Sequence, residues 1–296
     1  MAFDVTKLKN YVDEKKFGLL KLAEFGAPSV QDFAIQTGIK YQAAINRLDV
    51  DAPLQDGSDC GFSASGDDAF SQRIIEVKPL KVNKQWCPKN LLKYWQNYLV
   101  NVGAKKQNLP FEEYLTTEIV DKVKEQVEKI VWQGDTALGI KGILGILGDT
   151  AETDVVKATF TAGQSAYDKV MAMYNAIPVE VLDKAVVYVG MDDFRTFIQD
   201  MVAKNLYHYS AGEGLQTEFV IPGTATKIKA ATGLNGTGKM VAVVPSEVYV
   251  GCDYEDDDEQ FDLFFSEDDR VWKLVIEFVL GVQILDPARV VLGAEA

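Results

Sequence analysis

From Trp272 to Ile284 every second residue is apolar: Trp272, Leu274, Ile276, Phe278, Leu280, Val282 and Ile284. A period of two sends all seven side chains to one face of a β-strand. The fold therefore has to supply a covered sheet face for this segment. A second pattern has the other period. From Phe111 to Trp132, Leu115, Ile119, Val123, Val127 and Ile130 form one apolar stripe. Glu112, Glu118, Asp121, Lys122, Lys124, Glu125, Glu128 and Lys129 occupy the rest of the surface, and Pro110 suits the first turn. Such a helix is a strut about 30 Å long that lies along a sheet.

Between Asp253 and Asp269 there are ten acids and no base, so most of the net charge of −14 belongs to one segment. Lys and Arg number 30 against 44 Asp and Glu, a balance opposite to that of a chain built to wrap nucleic acid. His208 is the single histidine, so a catalytic triad or a His-ligated metal would rest on it alone. Three distant cysteines, Cys60, Cys87 and Cys252, fit a reducing compartment and not a disulfide framework. The N-terminus has an acid at Asp4 and no apolar run, unlike a signal peptide. The glycine-broken stretch Gly139–Gly148 is too short for a membrane span.

Other elements are legible in order. Residues 1–38 mix short helical patterns with breakers at Gly18, Gly26, Pro28 and Gly38, and suggest an extended arm with little core. Tyr41–Ala52 and Phe70–Trp86 alternate in part, and Leu54–Ala69 between them is rich in Asp, Ser and Gly. They read as a long hairpin with a polar tip, which is marginal in water by itself and needs a surface to lie on, such as a neighbouring subunit. Helical spacing follows at Asn90–Val100 and Ala166–Tyr174. Ala185–Gly190 reads as a buried strand leading through an Asp192 N-cap into a helix with Phe194, Phe197, Ile198, Met201 and Val202 on one face. The class is α+β.

No catalytic constellation emerges. Gly233-Leu-Asn-Gly-Thr-Gly-Lys239 satisfies the spacing of a phosphate loop, but Met240 stands where a magnesium-binding Ser or Thr is required. A strand-like segment follows it instead of a helix, so it reads as a turn between two strands. The six acids in Asp253–Glu259 lack the glycine of a calcium loop and read as a solvated run. His208, between Tyr207 and Tyr209, has no orienting partner nearby in sequence. No cofactor and no metal site is expected.

The order of parts resembles the major capsid proteins of tailed bacteriophages with the Hong Kong 97-like fold. Leu109-Pro-Phe-Glu-Glu113, with the helix running to Val131-Trp-Gln-Gly-Asp-Thr136, is similar to their spine helix and its exit. Gly139-Ile-Lys-Gly-Ile-Leu144 resembles their crossing into the axial domain, Ala185–Phe197 their axial strand–helix unit, and Lys273–Gln283 their closing strand. The resemblance spans roughly residues 40 to 290. It implies an N-terminal arm (1–39), an extended loop hairpin (40–87), a peripheral domain with the spine helix (88–138), an axial domain (139–244) and closing peripheral strands (245–296). It further implies a structural protein that assembles with itself into pentamers and hexamers of an icosahedral phage head around double-stranded DNA. Portal, scaffolding and decoration proteins would be its partners, and the virion, assembled in host cytoplasm, its location, with no membrane. Intersubunit contact is expected at the loop tip: Gln55, Asp56, Ser58, Asp59, Phe62, Asp67 and Asp68. The tip, Leu54–Phe70, has no lysine, so covalent lysine cross-links of the kind known in the fold's namesake are not expected. No long coiled segment precedes the arm, which leaves scaffolding to another protein or to a segment removed before Met1. The alternatives are an encapsulin-type nanocompartment shell and a cytosolic enzyme that binds a nucleotide at the Gly233–Lys239 turn.

Overall fold

The computed structural model describes residues 15, 18–56, 62, 64–87, 89–90, 111–204, 218–221, 224–253 and 260–295. Among these residues there are two main sheets, a two-stranded hairpin and a long helix. The strand from Val271 to Ile284, β12, organises the first sheet, as its alternation requires. It pairs antiparallel with β4 (Lys78–Trp86), β10 (Val248–Gly251) and β11 (Gln260–Ser266), and β1 (Ala34–Gln36) joins β10 in parallel. Leu274, Ile276, Phe278, Leu280, Val282 and Ile284 are all buried, while Trp272 at the open end is half-buried.

The second sheet has six strands in the order β5 (Val156–Phe160), β13 (Val291–Glu295), β9 (Met240–Val243), β6 (Val186–Gly190), β8 (Lys227–Ala231), β7 (Glu218–Val220). Its residues alternate between two cores. Val187, Val189, Met240 and Ala242 face the helices α4 (Ala166–Ala176) and α5 (Met191–Ala203), whose Val170, Met173, Phe194 and Phe197 are buried there. Tyr188, Val241 and Val243 face the other way, into the core that holds the long helix α2 (Phe111–Gln133) and the arm.

The arm is not an extended strap over its described length. Residues 18–25 form a helix, α1, and Leu19, Leu20, Ala23, Ala27, Val30 and Phe33 are buried in the main core. The buried face of α2 is also rotated from the stripe read in the sequence. Val120, Val123, Val127, Val131 and Trp132 are buried, whereas Leu115, Ile119 and Ile130 are half-exposed. After α2 the chain reverses at Gly134 (φ 75°), and a Cβ there would lie 2.5 Å from the backbone nitrogen of Gly142. The glycines of the crossing thus allow two backbone segments to touch before the short helix α3 (Ile143–Leu147) begins.

Four further expectations change. The returning strand of the hairpin is two strands: β2 (Gln42–Asp49) pairs with β3 (Ala69–Glu76), and β4 then leaves at Val77 to join β12. The two-stranded pairing of the hairpin therefore spans Gln42–Asp49 and Ala69–Glu76. The last residues, 291–295, belong to the six-stranded sheet and not to the closing strands of the first. The Gly233–Lys239 segment does not close a hairpin, because β6 lies between β8 and β9 and pairs with both. It is a crossover, although Gly236 and Gly238 do supply the positive φ read from the sequence. Finally, α5 is capped by Gly190 and by Asn235, whose Oδ1 accepts from the Met191 backbone N–H at 2.6 Å; Asp192 sits inside the first turn. The helix expected at Asn90–Val100 lies outside the described residues beyond Asn90.

Candidate assembly surfaces

The hairpin has two unlike faces. The register places Ala43 opposite Ile75 and Ile45 opposite Arg73, and these side chains turn inward. Ile45 and Ile75 are buried with Ile39 and Val77, against Tyr249, Val279 and Leu285. The base crosses the first sheet where Gly251 pairs with Gly281, and a Cβ on Gly281 would stand 2.1 Å from the Glu76 carbonyl oxygen. Two glycines thus let β3 run directly over the sheet. Farther out, Arg47 donates to Asp286 Oδ1 at 2.9 Å, and Arg73 donates to both oxygens of Glu152 at 3.1 and 2.5 Å. Gln283 Nε2 donates to the Ile74 carbonyl at 2.7 Å. The surface that the hairpin needed is, on this face, its own subunit.

The other face is open. Leu48 stands opposite Phe70 and Ala44 opposite Ile74, and Leu48, Phe70 and Ile74 are exposed. Val50, Leu54 and Phe62 continue this apolar surface toward the tip, with Leu54 and Phe62 almost wholly exposed. Large apolar side chains grouped on one face of a ribbon form an exposed patch of the kind that contact surfaces use. Of the expected tip residues, Gln55, Asp56, Phe62, Asp67 and Asp68 are exposed, while Ser58 and Asp59 lie outside the described residues, as does Cys60. Arg47, Arg73 and the Leu48–Phe70 pair were not singled out in the sequence. The signal available was an arginine on each arm of the hairpin, in a chain that has five arginines in all.

A second surface lies along α2. Its half-exposed Leu115, Ile119 and Ile130 face Pro79, Val82 and Trp86 across an open groove of about 1460 Å³. The opposite side of α2 is closed by the arm through a buried polar cluster. Glu128 accepts from the Ser29 backbone N–H at 3.1 Å, from Ser29 Oγ at 2.5 Å and from Trp132 Nε1 at 3.1 Å. Burial pushes the Glu128 carboxyl above its ordinary range, and these hydrogen bonds only partly offset that. Trp132, Phe33 and Tyr188 pack ring to ring at 5.0 to 5.8 Å, and the Tyr188 hydroxyl donates to Asp32, which also receives Lys229. Burial beside Asp32 and Glu128 drives the Tyr188 phenol far above its usual value. Helix, arm and six-stranded sheet are joined here.

The sequence matches no protein-family model and no curated protein. Solved structures do match. A chain of the satellite phage P4 procapsid including size determination (Sid) protein superposes with a TM-score of 0.61 at 12% identity, over 94% of this chain and 98% of that one. The chain has the fold of phage capsid proteins. The capsid of an empty GTA particle gives a TM-score of 0.58 at 12% identity, over 93% and 90%. The capsid fold extends to the holo-SrpI encapsulin complex from Synechococcus elongatus PCC 7942, at a TM-score of 0.51 and 9% identity over 90% and 87%. At such identities the likeness is one of fold.

Among the described residues no group of His, Cys, Asp and Glu could hold a metal ion, and no helix is long and apolar enough to cross a membrane. His208 and most of the acidic run, residues 254–259, lie outside the described residues.

Proposed function

We propose that this chain is a major capsid protein that assembles with itself into the shell of a phage head around double-stranded DNA. The observation that carries this reading is the hairpin: its inner face is bonded to its own subunit, while Leu48, Phe70, Ile74, Leu54 and Phe62 project unpartnered into solvent on the other. A second copy covers that surface in an assembly. In Hong Kong 97-like terms, the hairpin is the extended loop, α2 the spine helix, the first sheet the peripheral domain and the six-stranded sheet the axial domain. Pentamers and hexamers are the capsomers, Gln55–Asp68 is the tip that touches the neighbour, and portal, scaffolding and decoration proteins complete the virion. The acidic balance suits a wall that must not adhere to packaged DNA.

Deleting Gln55–Asp68 and closing β2 to β3 with a short turn tests the reading. The described residues of this segment are exposed, so a folded subunit is expected that no longer forms particles under electron microscopy. Normal particles from the deletion would refute the contact. The encapsulin likeness favours one second reading, a nanocompartment shell. Co-expression with neighbouring genes separates the two: capture of an enzyme cargo inside the particle supports the compartment, and portal-bearing heads support the phage.

A further inference from the structure

Three chain segments carry the backbone between the two sheets: residues 134–155 from α2 to β5, residues 244–247 from β9 to β10, and residues 285–290 from β12 to β13. Each holds an acid that pairs with an arginine, in two groups that both reach the hairpin. Glu152 lies on the first, Glu247 on the second and Asp286 on the third. Arg289 links the last two, with Nη1 2.9 Å from Glu247 Oε1 and Nε 3.2 Å from Asp286 Oδ2. The Leu285 backbone N–H also donates to the Glu247 carbonyl at 2.9 Å. The hairpin supplies one arginine to each group, Arg73 to Glu152 and Arg47 to Asp286. Arg47 meets Asp286 with both terminal nitrogens, at 2.9 and 2.8 Å, and Arg73 forks onto Glu152 while touching Gln283 at 3.3 Å.

We propose that the two groups together form a joint lock, which ties the angle of the hairpin to the three crossings so that the hairpin and the angle between the two sheets move as one. The apolar base of the hairpin cannot do this alone, because Ile39, Ile45, Ile75 and Val77 attract without direction. The guanidinium–carboxylate fork of Arg73 on Glu152 is planar and fixes orientation as well as distance, and Arg47 adds an ion pair to Asp286. Asp286 is almost wholly buried, so a hairpin that swung away would remove Arg47 and leave that charge to Arg289 and the Ala288 backbone N–H. A partner that seats on the open face of the hairpin therefore sets the angle between the sheets, and a change in that angle re-aims the hairpin. The lock belongs to the single subunit and does not depend on the shell reading.

Hydrogen exchange on the purified chain tests it, with the assembly state followed by sedimentation. In the Arg47→Gln/Arg73→Gln variant, exchange in residues 42–49 and 69–76 is expected to rise about tenfold or more. Exchange in residues 148–155 and 285–290 is expected to rise with it, while β6, β9 and β12 stay protected. Loosening of the hairpin with unchanged crossings would overturn the coupling, and no change in either would overturn the lock. Should the double variant aggregate, the conservative Glu152→Gln is read in the same way with a smaller rise. The swap Arg73→Glu/Glu152→Arg restores protection in both regions if the fork is the cause; a swap that stays as loose as Arg73→Glu alone refutes it. Because the readout is exchange in the subunit, a chain that never forms particles defeats the shell reading and leaves the lock standing or falling by itself.

Discussion

Glu128 shows how one residue serves packing and carries a cost. It lies in α2, a position that the sequence assigns to the charged face, yet it is buried and takes three hydrogen bonds from Ser29 and Trp132. Its carboxyl is raised above the ordinary 4.5, chiefly by burial. Between 4.5 and its raised value the folded chain binds more protons than the unfolded one, so stability falls as pH rises through that window. Glu128→Gln removes the buried charge and keeps an acceptor. The melting temperature of the variant relative to the natural chain is expected to be highest near neutral pH and to drop as pH falls toward 4.5. A difference that does not vary with pH would contradict the buried ionised carboxyl. Gly281 is a steric case. An added Cβ meets the Glu76 carbonyl oxygen at 2.1 Å, and backbone yields poorly, so Gly281→Ala is expected to cost about 2–3 kcal/mol in urea unfolding.

At the scale of elements, the hairpin depends on its two faces. Replacing Leu48 and Phe70 by Ser alters an exposed cross-strand pair, so subunit stability is expected to move by no more than about 0.5 kcal/mol per site in chemical denaturation. Particle formation is expected to fail in the same variant, as light scattering would report. A large loss of subunit stability would mean that the pair packs within the chain. The long helix has the same division. Its arm-facing side is closed by Ala27, Val30 and Phe33, with Ser29 bonded to Glu128, and its Leu115–Ile119–Ile130 side stays open over the groove. Periodicity found the helix within a residue of its C-terminal end but chose the wrong midline for its buried face, because it ranks residues by polarity. Glu128 and Thr116 are buried by what they bond or touch, which no hydropathy pattern encodes.

For the whole molecule, the shell reading carries an expectation of stability from interlocking and buried area without covalent links. The tip has no lysine, and Lys78, Lys81 and Lys84 lie on β4 within the first sheet. Particles boiled in detergent with reductant are expected to run as one band near 32.7 kDa. A reductant-resistant ladder of larger species would show covalent linkage between chains.

The sequence by itself determined the period-two strand of β12, the long helix, the β6–α5 unit and a projecting hairpin, since each is written in spacing over neighbouring residues. It also determined the α+β class and carried the resemblance to phage capsid proteins. Tertiary structure alone decided where β3 ends and β4 begins, because Val77 is alternating sequence on either side and the break is imposed by the Gly251–Gly281 crossing. It alone carried β13 back to the six-stranded sheet and set β6 between β8 and β9, since strand order is a matter of long-range pairing. Arg73 with Glu152, and Arg47 with Asp286, Arg289 and Glu247, are brought into contact from five separate stretches of chain. Charges read along a sequence look solvated; only the folded backbone brings opposite signs close enough, and dry enough, to bind.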